Sequence, residues 1–122
     1  MPMNSDALDQ LLNATDIDAI SLHSGDPGAA GDQNVVSADV EAITWDAAEL
    51  DSGTKRKRHA SAQVSFSGCT ASANVVNIGL WKAGAPDAYR GYLVRTSGDP
   101  ATNVSGNYTV TTDIKLTADI DT

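Results

Sequence analysis

Aromatic residues are scarce in this sequence: two Trp, three Tyr and one Phe in 122 residues. A core with so few of them must come mainly from Val, Ile, Leu and Ala. Such a core is thin, and burial against a partner would add to its stability. The single cysteine, Cys69, excludes an intrachain disulfide and reads as a small buried hydrophobe. Two histidines and one cysteine are too few for an ordinary zinc site. Basic residues are outnumbered, eight Lys and Arg against sixteen Asp and Glu, for a formal charge of -8. An acidic surface repels phosphate, which disfavours nucleic acid and anionic membranes as partners. No run approaches the roughly 20 apolar residues of a membrane-spanning helix. Met1 to Asp6 carry neither the basic start nor the apolar stretch of a signal peptide. A phosphate-binding glycine loop, a dinucleotide fingerprint and an HExxH helix are also missing. No motif therefore points to an enzyme, a cofactor or a metal.

What is present is alternation. The length fits one domain, residues 1–122. Ser5 can cap a short helix within residues 1–14, with Leu8, Leu11 and Leu12 on one face and Asp6 and Asp9 in its first turns. So short a helix must dock its leucines, either on the domain's own sheet or on a neighbouring subunit. Ile17 to His23 reads as a strand, and Ser24 to Gly28 stops it. Residues 24–34 read as an exposed loop. Val40 to Trp45 is a second strand, and residues 46–54 a connection. Ala60, Ala62, Val64 and Phe66 alternate with polar residues, as in a strand with one buried face. Val75 to Lys82 is apolar on both faces, which suits a central or covered strand. Tyr89 to Thr96 follows, and the β-branched run from Tyr108 to Ala118 closes the chain. Six or seven short strands at this spacing predict a mainly β, antiparallel sandwich, jelly-roll or immunoglobulin-like, with one N-terminal helix.

Three groups of residues invite a chemical reading. Ser21, His23, Ser24 and Asp26 contain the residue types of a hydrolase triad, but no nucleophile elbow surrounds them, and a loop-anchoring histidine is the simpler assignment. The acid pairs Asp16/Asp18 and Asp119/Asp121 lack the calcium-loop pattern and read as solvated. Lys55, Arg56, Lys57 and Arg58, followed by His59, hold half of all basic residues. They suit a guarded strand edge, docking on an acidic protein neighbour or a nucleic-acid patch, and Arg, the better fit for paired carboxylates, favours the docking role. Trp45, Phe66 and Trp81 are the large anchors of a core or an interface.

Several segments taken in order resemble a family of small tailed-phage virion proteins, labelled tail fibre, minor tail or minor capsid protein. They are Ala7 to Leu12, Ile20-Ser21-Leu22-His23-Ser24-Gly25-Asp26-Pro27-Gly28, Ala42-Ile43-Thr44-Trp45, Val64-Ser65-Phe66 and Val76-Asn77-Ile78-Gly79-Leu80-Trp81. The family pattern runs helix, SLHTADPG, AITW, VTF, then HIGLWDA. The match covers residues 7–83. The basic run and the segment from Tyr89 onward depart from it. The resemblance implies a non-enzymatic structural subunit of the virion, without catalytic residues or cofactor. It implies docking on other virion proteins, major capsid or tail, and a homo-oligomer. A host-surface glycan is the alternative partner, for which an exposed aromatic such as Tyr89 or Tyr92 would be needed.

Overall fold

The computed structural model describes residues 16–52, 55–96 and 98–119. The expected N-terminal helix, with Leu8, Leu11 and Leu12, lies outside them. The described residues form nine strands and no helix: β1 (Ala19–His23), β2 (Glu41–Ala42), β3 (Glu49–Ser52), β4 (Lys55–His59), β5 (Val64–Phe66), β6 (Asn77–Lys82), β7 (Ala88–Val94), β8 (Tyr108–Val110) and β9 (Lys115–Asp119). They make three antiparallel sheets, of order β2-β1-β6-β7, β3-β4-β9 and β5-β8. The all-β, antiparallel expectation holds. The strand count exceeds the six or seven read from sequence, through three local differences.

Residues 46–54 are not a plain connection, because Glu49–Ser52 pairs with the basic strand β4. Glu49, Asp51 and their partner Lys57 supply opposite charge across the ladder, which stabilises a pair that apolar alternation does not announce. The other two differences are one event. Ala60–Phe66 and Tyr108–Ala118 each read as continuous alternation, and the segments 55–66 and 108–119 do run antiparallel in one register. His59 faces Lys115 and Val64 faces Val110, with four residues on each side between them. Within that gap Ala60 bridges to Trp45, Ser61 N–H donates to the Thr44 carbonyl, and Ile114 N–H turns back on the Thr111 carbonyl. The ribbon is bent there, so its two ends belong to different sheets. The basic strand is consequently the central member of its sheet, not an edge.

Sheet alternation sets the core. Ile20 and Leu22 of β1 and Ile78 and Leu80 of β6 bury one face of the four-stranded sheet against Val64, Phe66, Tyr108, Val110 and Leu116 of the ribbon. Val36, Ile43, Ala60 and Val75 complete this cluster, and Trp45 and Ile17 pack on it half-buried. β6 lies between β1 and β7, as its two apolar faces require. Between Leu80 and Trp81 the pairing with β7 shifts through a bulge at Arg90, followed by Gly91 at a φ of 136°. The bulge puts Tyr89 on the same side as Trp81, and their rings stand 5.1 Å apart at 60°.

Candidate functional site

The outer face of β1 and β6 carries polar groups where solvent would be the ordinary expectation. Ser21 lies opposite Gly79, Ala19 opposite Trp81 and His23 opposite Asn77. Ser21 is 4% exposed and His23 0%. Segment 24–40 folds back over them, so the expectation of an exposed loop at 24–34 holds only for part of it: Pro27 and Gly31 are buried, and beyond it so are Val36 and Ser37. The sequence signal for this cover is the glycine at 31, which stands against the ring of Tyr89, where any side chain would overlap it.

Under the loop a directed chain of hydrogen bonds joins three elements. The Gln33 carbonyl can only accept, so His23 Nδ1 donates to it at 2.8 Å. In the neutral ring, Nε2 is then the acceptor for the Ser21 hydroxyl at 2.6 Å. Ser21 Oγ in turn accepts the Trp81 indole N–H at 2.8 Å. Gly79 makes room for this, since a Cβ there would sit 2.8 Å from His23 Nε2 and nearer still to Ser21 Oγ. His23 therefore anchors a loop, the simpler of the two readings of the Ser21, His23, Ser24, Asp26 group. Ser24 and Asp26 lie beyond the end of β1 and serve the turn: the Gly28 N–H donates to Asp26 Oδ1 at 2.8 Å, and Asn34 Nδ2 donates to the Asp26 carbonyl at 2.9 Å. Asn77 Nδ2 donates to the Gly25 carbonyl at 2.9 Å.

The Ala42–Trp45 segment is bonded to the residues that lead into β1. Ile43 N–H donates to the Asp18 carbonyl at 3.0 Å, and Trp45 Nε1 to the Ile17 carbonyl at 2.9 Å. Asp18 receives Lys82 Nζ and the Ala83 N–H, both at 2.7 Å. Lys82, hydrogen-bonded to Asp18, and then the Ala83 amide hold the Asp18 carboxyl below its ordinary value. Arg90 does the same to Asp16 through two hydrogen bonds, of 2.7 and 3.2 Å. Neither aspartate of the 16/18 pair is merely solvated. Among the described residues no group of three or more His, Cys, Asp or Glu could hold a metal ion. Cys69 is half-buried against the core, and burial pushes its thiol up.

The ion pairs also show how an acidic chain places its few cations. All eight Lys and Arg lie after residue 54, whereas eleven of the sixteen acids lie before it. Asp16–Arg90, Asp18–Lys82, Asp51–Lys57 and Asp51–Lys115 each join the two portions. The basic strand takes part in this. Lys57 Nζ stands 3.5 Å from Asp51. Arg58 turns inward, its Nε donating to the Asp46 carbonyl at 2.7 Å and its Nη2 to the Trp45 carbonyl at 3.3 Å. Arg58 is thus a structural cation, which spacing in the sequence could not distinguish from a docking one. Lys55 is exposed and Arg56 half-exposed. Of the three anchors, Phe66 is buried, while Trp45 and Trp81 are half-buried with their indole N–H groups already donated. Along β7, the edge strand of the four-stranded sheet among the described residues, Tyr92 is 47% and Val94 62% exposed.

No protein-family model matches this chain, and no curated protein and no solved structure shows significant similarity to it.

Proposed function

We propose that this protein is a non-enzymatic structural subunit of a tailed-virus particle, an accessory capsid or tail protein that docks on other virion proteins. The observation that carries the reading is the use made of Ser21, His23, Gly79 and Trp81. These residues belong to the segments that resemble the virion family, and all four serve one buried hydrogen-bond frame. A nucleophile needs an approachable oxygen; Ser21 Oγ is covered by the loop and engaged by both His23 and Trp81. Motif residues of this kind define a scaffold. In this reading the sheets close as a sandwich, and the subunit is a homo-oligomer present in many copies. Contacts from Lys55 and Arg56 to an acidic neighbour act together through avidity.

A cryo-electron-microscopy map of the intact virion tests it. Density for this chain repeated over the head or the tail is the expected result. A virion preparation that contains no copy of the chain overturns the reading. The second reading, a glycan-binding attachment module located in the same particle, rests on the exposed Tyr92. Loss of glycan-array binding on Tyr92→Ala would favour it; a wild-type protein that binds no glycan removes it.

A further inference from the structure

A sheet ends in unpaired backbone, and this chain guards most of its ends. Among the described residues the outer strands are β2 and β7, β3 and β9, and β5 and β8. β2 has two residues, and β5 and β8 have three each. β3 carries Glu49 and Asp51 and is broken by a register shift, and β9 carries Lys115. Short length, charge and irregularity are the usual protections of an edge against a second chain. The last four residues of β7 have none of them. β7 is the longest strand described, seven residues, and its bulge lies further back, at Arg90. Gly91-Tyr92-Leu93-Val94 holds no charge and no proline, and Tyr92 and Val94 are exposed.

The direction of its backbone groups follows from the ladder. Arg95 N–H donates to the Val76 carbonyl at 2.9 Å, and Val94 lies opposite Asn77, so Arg95 and Val76 form a hydrogen-bonded pair. Hydrogen-bonded and non-hydrogen-bonded pairs alternate, so Leu93 also turns its N–H and C=O toward β6. Tyr92 and Val94 turn theirs away from β6, to the side that has no described strand. Their side chains share the outer face, opposite Gly79 and Asn77, while Leu93 lies opposite Ile78 on the core face. A second β7, laid antiparallel about a two-fold axis at Leu93, complements all of this. Tyr92 then faces the partner's Val94, and Val94 the partner's Tyr92, as two hydrogen-bonded pairs. Each joins an aromatic to a β-branched side chain, a combination that stabilises adjacent strands. The two Leu93 residues meet at the axis as a non-hydrogen-bonded pair, about 4.5 Å apart at Cα. An axis at Tyr92 would instead bring the bulged Arg90 into the ladder. No acid stands between Asp87 and Asp99, so neither edge presents a carboxylate to the other, although each chain carries a charge of -8.

We infer that β7 is a self-pairing edge: two copies of this chain join through Tyr92 and Val94, and their four-stranded sheets become one continuous sheet. Such a contact is isologous, the same strand on both sides, as two-fold interfaces are. The inference names an interface for the homo-oligomer proposed above and rests on that part of the reading, not on the virion. A chain absent from every virion would still pair, so the two fail separately.

Sedimentation equilibrium of the full chain tests this, and should show a reversible, concentration-dependent dimer. Val94→Pro deletes an amide that points away from β6 and spares the ladder on the other side, as prolines on edge strands do. Tyr92→Lys/Val94→Lys adds the charge that edges ordinarily carry. Both variants should be monomers at concentrations where the wild type is dimeric, and should still unfold cooperatively. The register has its own readout. In a Cys69→Ala background, Leu93→Cys should oxidise to a covalent dimer, because the pair at the axis lies within disulfide reach. Tyr92→Cys should do so many-fold more slowly, since its own counterpart stands diagonally, about 7–8 Å away. A wild-type chain that stays monomeric at millimolar concentration overturns the inference. So does a dimer that survives both edge variants, which would place the interface elsewhere. Faster cross-linking of Tyr92→Cys than of Leu93→Cys overturns the axis at Leu93.

Discussion

The Trp81 indole donates its N–H to the Ser21 hydroxyl at 2.8 Å, joining positions sixty residues apart. The same hydroxyl is 2.6 Å from His23 Nε2. Ser21→Ala leaves a buried imidazole nitrogen and an indole N–H without this partner, and each such loss costs about 1–3 kcal/mol. Urea unfolding should show Ser21→Ala less stable by about 2 kcal/mol. A cycle with Trp81→Phe should give a coupling of about 1 kcal/mol. Additive effects would mean that the two groups do not act together.

Gly79 is the steric condition for that contact. An added methyl would stand 2.8 Å from His23 Nε2 and nearer to Ser21 Oγ, in the middle of a ladder that cannot yield on either side. Gly79→Ala should cost roughly 3 kcal/mol or more. Adding Ser21→Ala to it should recover part of the loss, because the nearer obstructing atom is gone. At Gly91 a Cβ meets nothing within 4 Å, and only its φ of 136° penalises a side chain. Gly91→Ala should cost about 1–2 kcal/mol, less than Gly79→Ala. The reverse order would refute the steric account.

Arg58 and Lys55 belong to one strand but should behave differently. Arg58→Lys loses the fork that reaches the Asp46 and Trp45 carbonyls, at a cost of about 1–2 kcal/mol in unfolding measurements. Lys55→Glu should leave stability within about 0.5 kcal/mol, since Lys55 is an exposed surface position. On the docking role proposed for it, its effect should appear instead in sedimentation with the virion, as reduced occupancy. A stable Arg58→Lys protein would show that the inward contacts contribute little.

Acid should loosen the fold through three carboxylates. Arg90 at Asp16, Lys82 at Asp18 and Lys115 at Asp51 hold these carboxyls below the ordinary value of 3.8. A depressed carboxyl favours the folded state above its unfolded-state value, and that contribution disappears as pH falls through the lower folded value. Urea midpoints should therefore hold level with respect to these groups above about pH 5 and fall from about pH 4 downward. Asp18→Asn should flatten part of the fall, and salt should shrink it, because the Asp16 and Asp18 pairs face solvent. A midpoint that rises on acidification would contradict the assignment.

The sequence alone determined the class of fold and much of its wiring. Period-two alternation marked the apolar positions of β1, β5, β6 and β8, and Gly, Pro and Asp marked the turns between them. It also singled out Ser21, His23, Gly79 and Trp81 as parts of distinctive segments, and a loop-anchoring role for His23. Alternation does not name a partner, however. The run from Tyr108 to Ala118 is rich in β-branched residues throughout, yet it bends at 111–114 because Ala60 and Ser61 opposite it are drawn to Trp45 and Thr44. The Glu49–Ser52 strand was illegible because its stability comes from charges on a neighbour, and the role of Arg58 because its acceptors are backbone carbonyls twelve and thirteen positions away. Only the tertiary structure decided which face the loop covers and which cations turn inward. Each of those depends on distances between segments far apart in the chain, and local spacing carries no record of them.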